Sequence, residues 1–396
     1  MNSQTFIQIE EQFGAHNYFP LDVVINRGAG VWLYDVNGAK YMDFLSAYSA
    51  VNQGHCHPRL VARMREQCEK LTLTSRAFRN DQFPLLLKEL CELTGFDRAL
   101  LMNSGAEAVE TAIKAARKWG YTVKGIEAER AEIIVATNNF HGRTTTIVGF
   151  STEEQYKKGF GPFTPGFITV EYGDIAALKR AVSPNTVAVL LEPIQGEGGI
   201  IIPPPGHLEA IQALCREQDI LFILDEIQSG LGRCGKLFAY QYEDVQPDGI
   251  VIGKALSGGF YPVSAFLARE GVMDVFKPGD HGSTFGGNPL ACAVAREALA
   301  VLLEEKLPER SFELGGYLRE KLSSIKSPYI KEIRGRGLMI GIELLAGARR
   351  FCEALKKEGL LCKETHATVI RLTPPLVIDE QELDWAFQKI EAVLQS

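Results

Sequence analysis

The 396-residue chain predicts an α/β protein: a large domain on a mostly parallel sheet flanked by helices, followed by a smaller α+β domain. Three observations lead there. Short runs of Ile, Val and Leu recur without polar alternation, which is how strands covered on both faces read. Each run ends in a Gly/Asn/Ser loop, and a helical pattern often follows. From about Leu290 the text changes to an Ala/Leu/Glu-rich helix and then to alternating strands and helices, as a separate α+β unit does.

Taken in order, the first run is 99–102, and the loop after it opens a helix over 107–119 with Val109, Ala112, Ile113 and Ala116 on one face. Strands follow at 133–136 and 187–191, then a helix at 207–217 and strands at 220–224 and 250–252. Residues 262–268 predict a hairpin partner for the last of these. In the C-terminal part, 334–344, a helix near 348–358, a strand at 369–372 and a helix after Asp379 complete the order. The expected division is a 1–50 segment joining the small domain, a 51–289 large domain and a 290–396 small domain.

Hydrophobic residues make up 46% and charged residues 23%, which excludes a disordered or coiled-coil chain. The net charge of −7, without a basic block, gives no support to a broad nucleic-acid or anionic-membrane surface. Eight cysteines without a Cys-x-x-Cys pair read as reduced thiols. With no secretory or Arg-rich leader pattern and no apolar run long enough to span a bilayer, the expectation is a cytoplasmic protein.

Ligands of open α/β sheets gather beyond the carboxyl ends of the strands, so the residues just after each run are the informative ones. They are Asn103-Ser104-Gly105-Ala106-Glu107, Phe140-His141-Gly142-Arg143, Glu192-Pro193-Ile194-Gln195-Gly196-Glu197, Asp225-Glu226-Ile227-Gln228 and Gly253-Lys254-Ala255-Leu256-Ser257-Gly258-Gly259. Lys254 emerges from a dry strand, where desolvation favours a neutral, nucleophilic amine able to form a Schiff base. Taken alone, the segment reads more readily as a surface lysine at a strand-to-loop corner. Asp225 ends an apolar run and needs a cation or strong donors, although a cap or core ion pair would also satisfy it. Ser104-Gly105-Ala106 opens a helix whose free N–H groups suit a phosphate, while Ser104-x-x-Glu107 is also a plain capping box. An amine, a carboxylate and an anion seat are together what pyridoxal phosphate requires.

Two motifs point elsewhere and are set aside. Gly230-Leu231-Gly232-Arg233-Cys234-Gly235-Lys236-Leu237 matches G-x-G-x-x-G and most of a P-loop, but Leu237 stands where magnesium needs Ser or Thr, and no helix pattern follows. His55-Cys56-His57 lacks two further ligands at a suitable spacing and precedes Pro58, so it reads as a turn, and no metal is expected.

Over nearly its whole length the chain resembles the class III aminotransferases of the fold-type I pyridoxal-phosphate enzymes. The carrying segments are Glu192–Glu197, Asp225–Gln228, Gly253–Gly259 and His281-Gly282-Ser283-Thr284-Phe285-Gly286-Gly287-Asn288-Pro289, with the Tyr18 and Tyr48 segments pointing to the ornithine branch. The resemblance implies that Lys254 binds the cofactor aldehyde and shuttles a proton. It implies further that Asp225 pairs with the ring nitrogen, Gln228 with the ring hydroxyl, and that Phe140 stacks on the ring. Gly105 and Ala106, beside Ser104, would seat the phosphate, and Thr284 would reach the cofactor of a neighbouring subunit, making a homodimer or larger assembly. Tyr18 and Arg143 would hold the α-carboxylate of ornithine, Glu197 would mask Arg371 until 2-oxoglutarate arrives, and Tyr48 would line the pocket. Gly198, Ser229 and Cys234 depart from the usual Ala, Thr and Thr of such relatives. Acetylornithine or 4-aminobutyrate transamination, an aminomutase reaction and a nucleotide-binding module are the alternatives.

Overall fold

The computed structural model describes all residues from Met1 to Ser396. At its centre is a seven-stranded sheet, in spatial order Arg98–Met102, Ser264–Ala268, Gly249–Ile252, Leu221–Asp225, Thr186–Leu191, Glu132–Ala136 and Phe167–Val170. The last five run parallel to one another, and Ser264–Ala268 lies antiparallel to both of its neighbours. Thr186–Leu191, Leu221–Asp225, Gly249–Ile252 and Ser264–Ala268 are buried at every position, which is why they read as unbroken apolar runs. The expected strands are therefore found within a residue or so of each end. Phe167–Val170 was not expected: it is a short, half-covered edge strand whose Thr169 is exposed.

Helices cover both faces. Gly105–Trp119 buries Val109, Ala112, Ile113 and Ala116 as its periodicity requires, and the cluster it joins lies on one side of the sheet. His207–Glu217 packs on the other side with Leu208, Ile211 and Leu214. Pro289–Glu304 lies against Pro58–Lys70, Gln82–Thr94 and the turn Lys254–Ser257.

Two smaller sheets complete the chain. Ile330–Arg336, Met339–Leu344, Val369–Leu372 and Lys363–Thr365 form an antiparallel sheet. Ile25–Ala29, Trp32–Asp35 and Lys40–Asp43 form a meander whose last strand pairs in parallel with Leu360–Leu361, so the two ends of the chain share a sheet. The terminal helix Glu380–Gln395 starts at Asp379, which closes a reciprocal capping box with Glu382. All eight cysteines are free thiols, five of them buried. No helix is long and apolar enough to cross a membrane.

Candidate active site

Because Thr186–Leu191, Leu221–Asp225 and Gly249–Ile252 are adjacent and parallel, Glu192, Asp225 and Lys254 emerge at one edge of the sheet. The reversed strand brings its beginning, not its end, to the same edge: Ser264 pairs with Met102, and its Oγ donates to the Ser104 carbonyl at 2.7 Å. A cavity of about 190 Å³ opens there, lined by Gly105, Ala106, Phe140, Asp225, Gln228 and Lys254 among others.

Lys254 sits in the left-handed region at φ 44°. Desolvation pulls its ammonium below the usual lysine range, while Glu197 and Asp225 push back the other way. Asp225 is 4% exposed; its Oδ1 accepts the Ile227 N–H at 3.0 Å, and its Oδ2 lies 2.7 Å from His141 Nδ1. Burial opposes the charge on His141, but the Asp225 hydrogen bond and charge outweigh it and raise the imidazole above its ordinary value. The other ring nitrogen, Nε2, is buried without a partner.

Ser104 does what a capping box does, accepting the Glu107 N–H at 3.2 Å while Glu107 Oε2 takes the Ser104 N–H at 2.8 Å. The cap leaves Gly105 and Ala106, the first two helical residues, with N–H groups that no intrahelical carbonyl can reach. They face the cavity. A Cβ on Gly105 would stand 2.9 Å from Ile227 Cδ1, so the bare backbone lets this side chain close over the helix start. An amine, a buried carboxylate backed by histidine, and unpaired N–H groups at a helix N-terminus fit pyridoxal phosphate.

Beside the cavity, Arg371 and Glu197 form a two-point ion pair, Nη1–Oε1 at 2.7 Å and Nη2–Oε2 at 2.8 Å. Gln228 joins the two, donating to Glu197 Oε1 at 3.3 Å and accepting from Arg371 Nη1 at 3.4 Å. Burial opposes the Glu197 charge, but Arg371, with Lys254 and Gln228 behind it, lowers the carboxyl to about 2. The Tyr48 ring centre lies 5.2 Å from the Arg371 guanidinium carbon. Burial, with the Glu197 charge added, raises the Tyr48 phenol.

Tyr48 is delivered by an unusual backbone. Ser46, Ala47, Tyr48 and Ser49 have φ of 49°, 47°, 60° and 71°, a left-handed helical turn made without glycine. Such a conformation costs roughly 1–2 kcal/mol for each L-residue.

The remaining expected residues lie farther out. Arg143 is exposed and stacks over Tyr156, 3.6 Å from its ring centre, with the Phe140 ring at 5.4 Å. Tyr18 is 76% exposed, though near enough to Tyr48 for its charge to be felt there. Thr284 is exposed and does not line its own chain's cavity. The glycine motif 230–237 is followed by a short 3-10 turn at Ala239–Tyr242, not by the helix a nucleotide site needs. No cluster of metal-binding side chains is present.

Sequence reasoning placed His141 and Glu192 at the strand ends without giving them a role, and it missed Tyr156. Glu192 accepts the N–H groups of Phe140 and Gly196, each at 3.1 Å, and so ties two site loops together. Desolvation raises its carboxyl to about 7. For His141 and Glu192 the available signal was their position directly beyond apolar runs. Gly198 proves to be a tight place: a Cβ there would stand 2.9 Å from the Asn138 carbonyl oxygen and 3.2 Å from Gln195 Cβ.

Residues 13–394 match the family model "Aminotransferase class-III". The chain is 59% identical over 387 residues to an ornithine aminotransferase of Geobacillus sp. strain WCH70, covering 98% of this chain and 97% of that one. A crystal structure of the Toxoplasma gondii ornithine aminotransferase, described with partial occupancy of PLP at its active site, superposes with a TM-score of 0.98. It is 47% identical and covers 99% of this chain and 94% of its own. An acetylornithine aminotransferase from Elizabethkingia anophelis gives a TM-score of 0.91 at 50% identity, covering 100% and 99%. Both the sheet-edge constellation and these full-length likenesses place the chain in one family: it is a class III aminotransferase, a pyridoxal-phosphate enzyme.

Proposed function

We propose that the protein is an ornithine δ-aminotransferase. It transfers the distal amino group of L-ornithine to 2-oxoglutarate, leaving glutamate-5-semialdehyde, which cyclises to pyrroline-5-carboxylate, and L-glutamate. The observation that carries this reading is the Glu197–Arg371 pair beside Tyr48. One site must accept a cationic amino acid and then a dicarboxylate. With Glu197 in place the Arg371 charge is neutralised and the apolar stem of ornithine can pass. When Glu197 turns away, Arg371 offers a planar, two-point seat for the second carboxylate.

Pyridoxal phosphate, when bound, supplies an aldehyde to take up the amine and a ring that delocalises the electrons of the broken C–H bond. The chain's residues do the rest. Lys254, its amine favoured by burial, holds the cofactor aldehyde and moves the proton at Cδ of ornithine. Asp225, oriented by His141, pairs with the ring nitrogen; Gln228 meets the ring hydroxyl and Phe140 covers the ring face. Ser104, Gly105 and Ala106 seat the phosphate, with Thr284 supplied by a second copy of the chain, so the working unit is a homodimer or larger. Tyr18 and Arg143 take the α-carboxylate. Residues 51–289 carry the cofactor, while 1–50 and 290–396 form the smaller domain that carries Arg371, and the enzyme works in the cytoplasm.

The test is the visible absorption spectrum of the purified holoenzyme, recorded with L-ornithine, with N-acetylornithine, and after 2-oxoglutarate is added. Loss of the cofactor band with ornithine alone, and its return with 2-oxoglutarate, is the expected result. A band that responds only to N-acetylornithine would transfer the substrate assignment to that reading, which the Elizabethkingia anophelis likeness favours. No band after pyridoxal phosphate is supplied would overturn the assignment.

A further inference from the structure

The left-handed turn at Ser46–Ser49 needs something to hold it, because none of its residues prefers that backbone. The holding groups are in the structure. Asp43, 3% exposed, uses Oδ1 to accept the N–H groups of Leu45 at 2.8 Å and Ser46 at 2.9 Å, the two residues leading into the turn. Its other oxygen, Oδ2, lies 2.7 Å from His55 Nε2. His55 is itself fixed by a two-way backbone bridge to Gly30, at 2.8 and 3.0 Å. Thr373, two residues after Arg371, donates its hydroxyl to the Leu45 carbonyl at 3.0 Å and its N–H to the Phe44 carbonyl at 2.8 Å. The far side is locked as well: Asn52 donates to the Leu231 carbonyl at 2.9 Å, and Gln53 to the Ala298 carbonyl at 3.1 Å.

The turn side chain that meets the Glu197–Arg371 pair is Tyr48, whose ring centre lies 5.2 Å from the Arg371 guanidinium carbon. From this arrangement we infer that Asp43 and His55 are positioning residues for substrate choice. His55 orients the Asp43 carboxylate, Asp43 forces the chain into the left-handed turn, and the turn sets the Tyr48 ring against Arg371. Neither residue touches the cavity itself. The inference rests on the ornithine reading, because Tyr48 discriminates only if the free α-amino end of the substrate reaches it. The strain gives the clamp its leverage: a turn that its own residues disfavour relaxes when its fastening is cut, whereas an unstrained loop would stay where it was.

The experiment compares kcat/KM for L-ornithine with that for N-acetylornithine in the holoenzyme and in Asp43→Ala, Asp43→Asn, His55→Ala and Tyr48→Ala variants. In Asp43→Ala the preference for ornithine falls about tenfold, as in Tyr48→Ala, through a higher KM for ornithine with the cofactor band intact. Asp43→Asn restores most of it, since the amide oxygen can still accept both N–H groups. Should Asp43→Ala not fold, His55→Ala carries the test, with a smaller loss of preference in the same direction. An Asp43→Ala or His55→Ala enzyme that keeps the full preference, while Tyr48→Ala loses it, overturns the inference and leaves the ornithine reading standing. A parent enzyme without any preference for ornithine overturns both.

Discussion

Arg371 and Glu197 are unequal members of their pair: the arginine side chain is 1% exposed and the glutamate 21%, so the guanidinium is the fixed partner and the carboxylate the one with room to move. Arg371 lies within a fully buried strand, Val369–Leu372, whereas Glu197 sits on a loop just before Gly199, which occupies the left-handed region at φ 109°. The Glu197 carbonyl is held by the Thr365 hydroxyl at 2.6 Å, which anchors the backbone and leaves motion to the side chain.

Glu197→Gln keeps the shape of the pair and removes its negative charge. Arg371 is then an unmasked cation whichever substrate arrives. The ratio of half-reaction rates, ornithine against 2-oxoglutarate, should fall at least tenfold, equivalent to about 1.4 kcal/mol. Stopped-flow absorbance on each half-reaction checks this, and an unchanged ratio would show that Glu197 does not act as a mask.

Lys254→Ala should abolish turnover and any covalent attachment of cofactor while leaving the fold intact, because the side chain ends in the cavity and makes no ion pair. Intact-protein mass after borohydride reduction reads the attachment, and far-ultraviolet dichroism reads the fold. Turnover at the parental rate would remove Lys254 from the mechanism.

The raised carboxyls of Glu192 and Glu226, each pushed up to about 7 by burial, carry a pH signature. Between the ordinary value near 4.5 and about 7 the folded chain keeps protons that the unfolded chain releases. Stability therefore falls as pH rises across that window and levels off above it. The raised imidazole of His141 has the same sign, since the stability it contributes is present below the ordinary imidazole range and is lost as pH rises through the folded value. The lowered imidazoles of His207 and His281 act in the opposite sense, so the test is a comparison: from about pH 5 to about pH 8 the parent holoenzyme should lose melting temperature relative to Glu192→Gln.

Thr284 offers a test of shared sites. A Thr284→Asp subunit would repel the phosphate in its partner's site, and a Lys254→Ala subunit is inactive in its own. Random mixing of the two restores one intact site in each hybrid dimer, so about a quarter of parental activity should reappear from two inactive proteins. Sites built from a single chain would stay inactive.

Gly198→Ala would drive a methyl group to 2.9 Å from the Asn138 carbonyl oxygen, a contact that has to be relieved by moving backbone. The expected cost is on the order of 1–3 kcal/mol, read as a lower melting temperature, with a slower ornithine half-reaction because the loop bears Glu197. A variant as stable as the parent would show that the loop shifts freely.

What could be read from the sequence follows physical lines. Buried parallel strands announce themselves as apolar runs, and the residues directly after them, Asp225 and Lys254, could be singled out because a charge at the end of such a run needs a reason. Phe167–Val170 escaped because an edge strand with an exposed threonine carries too few covered positions to stand out. The turn that presents Tyr48 was hidden more deeply. Ser-Ala-Tyr-Ser contains neither glycine nor asparagine, and its left-handed backbone is imposed by Asp43 and Thr373, residues on other elements. His141 stood in plain view beside Phe140, but its bond to Asp225 spans two strands and is a tertiary fact. Thr284 is exposed and away from its own chain's cavity, so nothing within one chain marks it as a site residue.

The reversed strand Ser264–Ala268 also governs when the enzyme comes into being. Arg98–Met102 has no other neighbour in the sheet, so as the chain leaves the ribosome that strand waits unpaired until the segment beyond Lys254 has been made. Its insertion adds the Ser264–Ser104 hydrogen bond to the contacts that Gly105 and Ala106 already make with Ile227 and Gly142. An unpaired apolar strand is an invitation to aggregation during that interval. Occupancy by the cofactor, which would grip both sides of the late-closing seam, would then act as the latch that ends the exposure, and protein made in cells starved of the vitamin should yield less soluble enzyme.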